Sequence, residues 1–161
     1  MRWRFTGRPG ETMSLRPQAL PCSTFRHFIP LDTRWHDNDV FGHVNNVVYY
    51  SYFDTAVTRH LIDAGLLEPK TSPIVGLVVE TGCTYFASVA FPEKLEVGLS
   101  VVKLGRSSVT YRLGLFREGD DISVALCRYT HIYVESASGK AVAMPEANRR
   151  LFEAIAVEDG A

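Results

Sequence analysis

The chain predicts an α+β domain in which one long central helix is wrapped by a curved antiparallel β-sheet, with a short helix at the C-terminus. Three observations lead there. One stretch, beginning at Asn46, repeats apolar residues at helical spacing: Val47, Tyr50, Phe53, Val57, Leu61 and Ala64. The chain that follows is rich in β-branched and aromatic residues in strand-like runs broken by turn chemistry. Finally, Val47, Val48, Tyr49, Tyr50, Tyr52 and Phe53 leave the first two turns of that helix little polar face, so it must be surrounded, and an antiparallel sheet is the simplest cover.

The elements follow in order. Within the first twenty residues Arg2, Arg4, Arg8 and Arg16 face only Glu11, a net charge of +3, while the rest of the chain carries −4. Gly7, Pro9 and Gly10 argue against an amphipathic transit helix there, and the apolar core of a secretory signal is missing. Residues 1–22 are expected to be a disordered tail, with Met13 as an alternative start, and residues 23–161 a single domain. "FRHFIPLDTRW" reads as a strand whose Pro30 places it at an edge or a bulge. The helix follows, with Asn45 or Asn46 as N-cap and Gly65 as C-terminal cap. "LLEPKTSP" is a connector. "IVGLVVETGCTYFAS", "KLEVGLSVVKL", "SSVTYRLGLF" and "ISVALCRYTHIYVES" are strands, and "PEANRRLFEAI" is a terminal helix with Pro145 at its start.

Composition excludes several classes. A net charge of −1 from 17 basic and 18 acidic residues offers no electrostatic grip on nucleic acid. No apolar run approaches the ~20 residues a membrane helix needs. Cys22, Cys83 and Cys127 are odd in number and widely spaced, which fits neither a disulfide framework nor zinc. They are expected as thiols in a reducing compartment, the cytoplasm.

The polar chemistry concentrates in "RWHDNDVFGHVNN", Arg34 to Asn46, immediately ahead of the helix. Turn formation and helix capping account for Asp, Asn and Gly in such a place. His36, Asp37, Asp39 and His43 are possible metal ligands, but their spacing fits no strong metal motif: there is no H-E-x-x-H, and an EF-hand loop counted from Asp37 would have its glycine sixth but Phe41 fifth and Val48 twelfth. A third reading is catalytic. The first N–H groups of a helix are unpaired and favour negative charge, so they can hold an oxyanion, while a nearby carboxylate orients water or attacks. Acyl transfer to water is the chemistry such a pair suits. From the residues alone the capping and catalytic readings both stand.

"DNDVFGHVNNVVY", Asp37 to Tyr49, resembles the D-x-D-x-x-G-H-V-N-N-x-x-Y signature of the 4-hydroxybenzoyl-CoA thioesterase family, the hotdog-fold acyl-CoA thioesterases. "YFDTA", "LGRSSV" and "SGKAVAMPE" extend the likeness to roughly residues 24–156. The resemblance implies a hotdog fold and hydrolysis of an acyl-CoA to CoA and a carboxylic acid, with no metal and no organic cofactor. It implies Asp39 as nucleophile or general base, Asn46 as the residue whose backbone N–H polarises the thioester carbonyl, and Gly42 as the glycine that lets the chain approach substrate. His43 and Asn45 are implied as loop-shaping or pocket-lining residues and Tyr49 as a substrate-side aromatic. Arg106, Ser107 and Ser108 would meet CoA, although "GRSS" is also a good hairpin turn. A homodimer, or a dimer of dimers, is implied as well. Asp37 is expected to fix the loop or pair with Arg34, and Asp54, costly on an apolar helix, to find a partner across the dimer or on a strand hydroxyl. Two alternatives use the same fold. Hydratase or dehydratase chemistry lacks its D-x-N-x-x-H loop here, and a non-catalytic acyl-CoA sensor would gain little from Asp39.

Overall fold

The computed structural model describes residues 17–159. Most of the expected tail, with Met13 and the four arginines, lies outside the described residues. Five strands form one antiparallel sheet: β1 (His27–Asp32), β2 (Ile74–Tyr85), β3 (Lys94–Leu104), β4 (Ser108–Arg117) and β5 (Ala125–Glu135), in the spatial order β1-β3-β4-β5-β2. Helix α1 (Asn46–Asp63) lies against one face, and α2 (Glu146–Glu153) follows the last strand. Pro30 sits in β1, an edge strand, where its missing N–H costs no ladder bond on the open side.

Helix α1 begins and ends on local chemistry. The Asn45 side chain accepts the Val47 N–H at 3.0 Å. At the far end Gly65, at φ +69°, lets its own N–H reach the Ile62 carbonyl and the Leu66 N–H reach the Leu61 carbonyl, a Schellman closure that a β-carbon would strain. Between these caps Tyr49, Tyr52, Phe53, Ala56, Val57 and Leu61 are buried against Val97, Leu99, Tyr111, Leu113 and their neighbours on the inner sheet face. The opposite side of the helix stays open, with Val47 66% exposed. Asp54 has found a strand hydroxyl: it accepts a hydrogen bond from Tyr129 on β5.

The outer face of the sheet has its own cover. Gly98 and Gly114 are cross-strand partners, and the Phe25 ring lies on both, since a β-carbon would meet it at 2.7 Å on Gly98 and 2.5 Å on Gly114. Phe28 and Phe116 complete this aromatic cluster. Upstream, the Leu20 N–H donates to the Ser123 hydroxyl and the Cys22 N–H to the Asp121 carbonyl, so the last residues of the 1–22 segment are bonded to the loop ahead of β5.

Two histidines are buried in this core. Burial, with His27 adding to it and Asp63 opposing, pulls the His60 imidazole down to about 4. Burial likewise pulls His131 down to about 4, against the pull of Asp54. The unfolded chain takes up protons at both near pH ~6.5, whereas the folded chain resists until about 4. The stabilisation is therefore complete above pH ~6.5 and lost as pH falls toward 4, with a slope approaching roughly 2.7 kcal/mol per pH unit for the pair. Denaturant titrations at pH 7 and 5.5 should show this loss, and a flat profile over that interval would contradict neutral burial of both rings.

Candidate active site

The segment between β1 and α1 is built as a series of anchored turns. Thr33 closes β1 with its hydroxyl donating to the Glu93 carbonyl at 2.7 Å. A single 3-10 turn (Trp35–Asp37) then buries the Asp37 carboxylate. That group accepts the Arg34 N–H at 2.7 Å, the Arg34 guanidinium at 3.0 Å and the Tyr52 hydroxyl at 2.6 Å. Burial would raise its pKa, but the Tyr52 and Arg34 hydrogen bonds outweigh that cost and hold it below the usual carboxylate value. Asp37 therefore pairs with Arg34, as its spacing predicts, and ties the loop to the second turn of α1. Its carbonyl also accepts the Asn45 N–H at 2.9 Å, fixing the helix start.

Asp39 stands on a small hairpin carried by this anchor. Asn38 and Val44 pair as an isolated bridge. The Asp39 N–H donates to the His43 carbonyl at 2.8 Å, and the Gly42 N–H to the Asp39 carbonyl at 3.1 Å. Val40, Phe41 and Gly42 form the three-residue loop, closed by Gly42 at φ +79°. Asp39 Oδ1 accepts the Phe41 N–H at 2.8 Å, while its second oxygen takes no partner among the described residues. The carboxylate is thus oriented by one oxygen and available through the other.

Helix α1 starts beside it. Asn45 Oδ1 and the Asn45 carbonyl serve the N–H groups of Val47 and Val48, which leaves the Asn46 N–H outside the cap. Asn46 is exposed, and its carbonyl accepts the Tyr85 hydroxyl at 3.0 Å, so the helix start adjoins the end of edge strand β2. His43 is half-buried, and its carbonyl closes the hairpin. Tyr49 is 3% exposed in the single chain, with its hydroxyl accepting the Val89 N–H at 3.3 Å.

The structure adds a seat that sequence patterning missed. Residues 86–93 hold the hairpin from below: the Val44 N–H donates to the Val89 carbonyl at 2.8 Å and the Phe91 N–H to Asn38 Oδ1 at 3.1 Å. Arg117 braces this loop through Glu93 and the Ser88 carbonyl. The "FPE" breaker was its only signal in the sequence.

Arg106, Ser107 and Ser108 lie elsewhere. They turn β3 into β4, and the Arg106 and Ser107 carbonyls accept the Met144 and Tyr133 N–H groups. β1 ends opposite Lys94, at the start of β3, whereas this turn follows its end. The turn and the strand that leads into the Asp39 hairpin therefore sit at opposite ends of β3 within one subunit.

Among the described residues no three His, Cys, Asp or Glu side chains are grouped to hold a metal. No described helix is long and apolar enough to cross a membrane.

The sequence model of the thioesterase superfamily matches residues 41–124, just over half of the 161-residue chain. The chain belongs to the thioesterase superfamily. It is a thioester hydrolase by class, and the match begins two residues after Asp39. A solved relative, the PA5185 protein of Pseudomonas aeruginosa strain PAO1, is 47% identical, with a TM-score of 0.84 over 86% of this chain and 97% of its own. YsmA of Bacillus subtilis (strain 168), an uncharacterised protein, is 26% identical over 121 residues, 74% of this chain and 80% of its own. A 1,4-dihydroxy-2-naphthoyl-CoA thioesterase from Synechocystis shares the fold at a TM-score of 0.71 and 13% identity, over 78% of this chain and 93% of its own. The helix wrapped by an antiparallel sheet that the pattern predicts, and the hotdog fold that the resemblance implies, are what the structure has.

Proposed function

We propose that this protein hydrolyses acyl-CoA thioesters to CoA and a carboxylic acid, with Asp39 as the reacting carboxylate and the start of α1 as the oxyanion site. The observation that carries the reading is the half-engaged Asp39 carboxylate on a closed hairpin that runs directly into the cap of α1. The thioester carbonyl oxygen accepts the Asn46 N–H, the donor that the cap leaves out. Asp39 takes a proton from water as the water oxygen attacks the carbonyl carbon, or attacks that carbon itself to form an anhydride that water then opens. In either course the carbon–sulfur bond breaks and CoA leaves as the thiolate. Gly42 keeps the hairpin tight beside the substrate, and His43 and Asn45 shape the entrance.

A homodimer fits this chemistry. Leu77, Val78 and Val79 are 49%, 46% and 60% exposed along edge strand β2, an apolar edge that a second copy would cover. Antiparallel pairing of β2 with its copy sets the far end of the partner's sheet beside Asp39. That arrangement would return Arg106, Ser107 and Ser108, from the partner, to the side where CoA must lie. Sedimentation of the full chain is expected at twice the subunit mass, and a monomer at micromolar concentration would remove this support.

The function is tested by thiol release from short, medium, long and aromatic acyl-CoAs. Saturable hydrolysis of at least one class is expected. Binding of acyl-CoA with no thiol released from any would instead favour a sensor.

A further inference from the structure

The outer face of the sheet carries a pair of neighbouring arginines beside a cleft. Arg112 on β4 and Arg128 on β5 are direct cross-strand partners, an arrangement of like charges that destabilises a sheet unless an anion sits between them. Asp159 supplies one: its Oδ1 accepts from Arg112 Nη2 at 3.1 Å and its Oδ2 from Arg128 Nη1 at 3.3 Å. One carboxylate does not balance two guanidinium groups. Arg112 has only 13% of its side chain exposed, and its Nη1 is buried with no partner among the described residues. Such a donor costs free energy unless something accepts from it.

These groups line a cleft of about 490 Å³, within the range that holds small organic ligands. Leu20 and Leu126 give it apolar walls, and Gly82, the cross-strand partner of Arg128, gives it a floor where an added β-carbon would meet nothing within 4 Å. Asp159 reaches the cleft on a tether. The Val101 N–H donates to the Ile155 carbonyl and the Val157 N–H to the Val101 carbonyl, holding the terminal segment two residues short of it.

We propose that the cleft over Arg112, Arg128 and Gly82 binds a small organic carboxylate with an apolar body, and that Asp159 is its built-in competitor. The carboxylate bridges the two guanidinium groups as Asp159 does, and its apolar part lies between Leu20 and Leu126. Because binding is read without turnover, the proposal stands or falls separately from the role of Asp39.

Calorimetric titration of the full chain with hexanoate is the test. Saturable binding is expected. Asp159→Asn should tighten it severalfold, by removing the competitor. Arg128→Gln should weaken it about fivefold to tenfold, and Gly82→Leu, which fills the floor of an exposed strand position, should abolish it. Arg112→Gln removes the buried donor and should lose binding too, while the other three variants keep the test valid if that one fails to fold. No saturable binding by wild type or Asp159→Asn overturns the proposal, as does binding indifferent to Arg128→Gln and Gly82→Leu. Inorganic phosphate competing as well as hexanoate also overturns it, because the site would then read charge alone.

Discussion

Replacing Asp39 by asparagine is expected to lower kcat at least about a hundredfold on any acyl-CoA that wild type hydrolyses, with the fold intact. The size follows from the ~10²–10⁴-fold weight of a positioned acid–base group. The specificity of the test follows from local geometry. Asparagine retains an oxygen that can accept the Phe41 N–H, so the hairpin closed by Gly42 should keep its shape. What goes is the negative charge and the ability to take a proton or to attack. The thermal midpoint should be unchanged, and KM should move far less than kcat, since the carboxylate acts on the reacting carbon rather than on the CoA moiety. Thiol-release rates for the two proteins, measured side by side, decide the matter. Equal kcat in the variant would remove Asp39 from the chemistry.

Much of this was legible in the chain because it rests on local rules. Pro30 marks an edge strand by its own missing N–H, while Asn45 caps the helix and Gly65 ends it, both within a few residues of their partners. The Arg34–Asp37 pair is a short-range contact of the same kind. Asp54 was readable in kind only: a carboxylate on an apolar helix needs a partner, but its choice of Tyr129 depends on how β5 lies against α1. The seat of the Asp39 hairpin was not readable, because Val89, Phe91 and Arg117 reach it across the fold and carry no periodic signal. Nor was the outer-face cover, where Gly98 and Gly114 are unremarkable until register sets them side by side under Phe25. The distance between the Arg106 turn and Asp39 has the same origin. The resemblance groups these residues, and only strand direction shows that one subunit holds them at opposite ends of β3.

The oxyanion role proposed for Asn46 leads to a sharper expectation, since it would belong to a backbone N–H and not to a side chain. Asn46→Ala should leave kcat within a few fold, because the side chain takes no step in the reaction. Asn46→Pro should lower kcat about 10²–10³-fold, the loss found when one oxyanion donor is removed. Proline is unusually benign at this position. It is the first residue of α1, where an N–H is not needed for the helix and a fixed φ is already helical. The residue ahead, Asn45, is extended at ψ 138°, the conformation proline asks of its predecessor. Its side chain still caps Val47, and its carbonyl still accepts from Val48, so both capping bonds survive the change. Thermal stability and acyl-CoA binding should therefore stay close to wild type while turnover falls. An Asn46→Pro protein that turns over at the wild-type rate would show that the oxyanion is held elsewhere. One that loses stability along with activity would not separate the two roles, and the contrast with Asn46→Ala at matched folded fraction then carries the comparison.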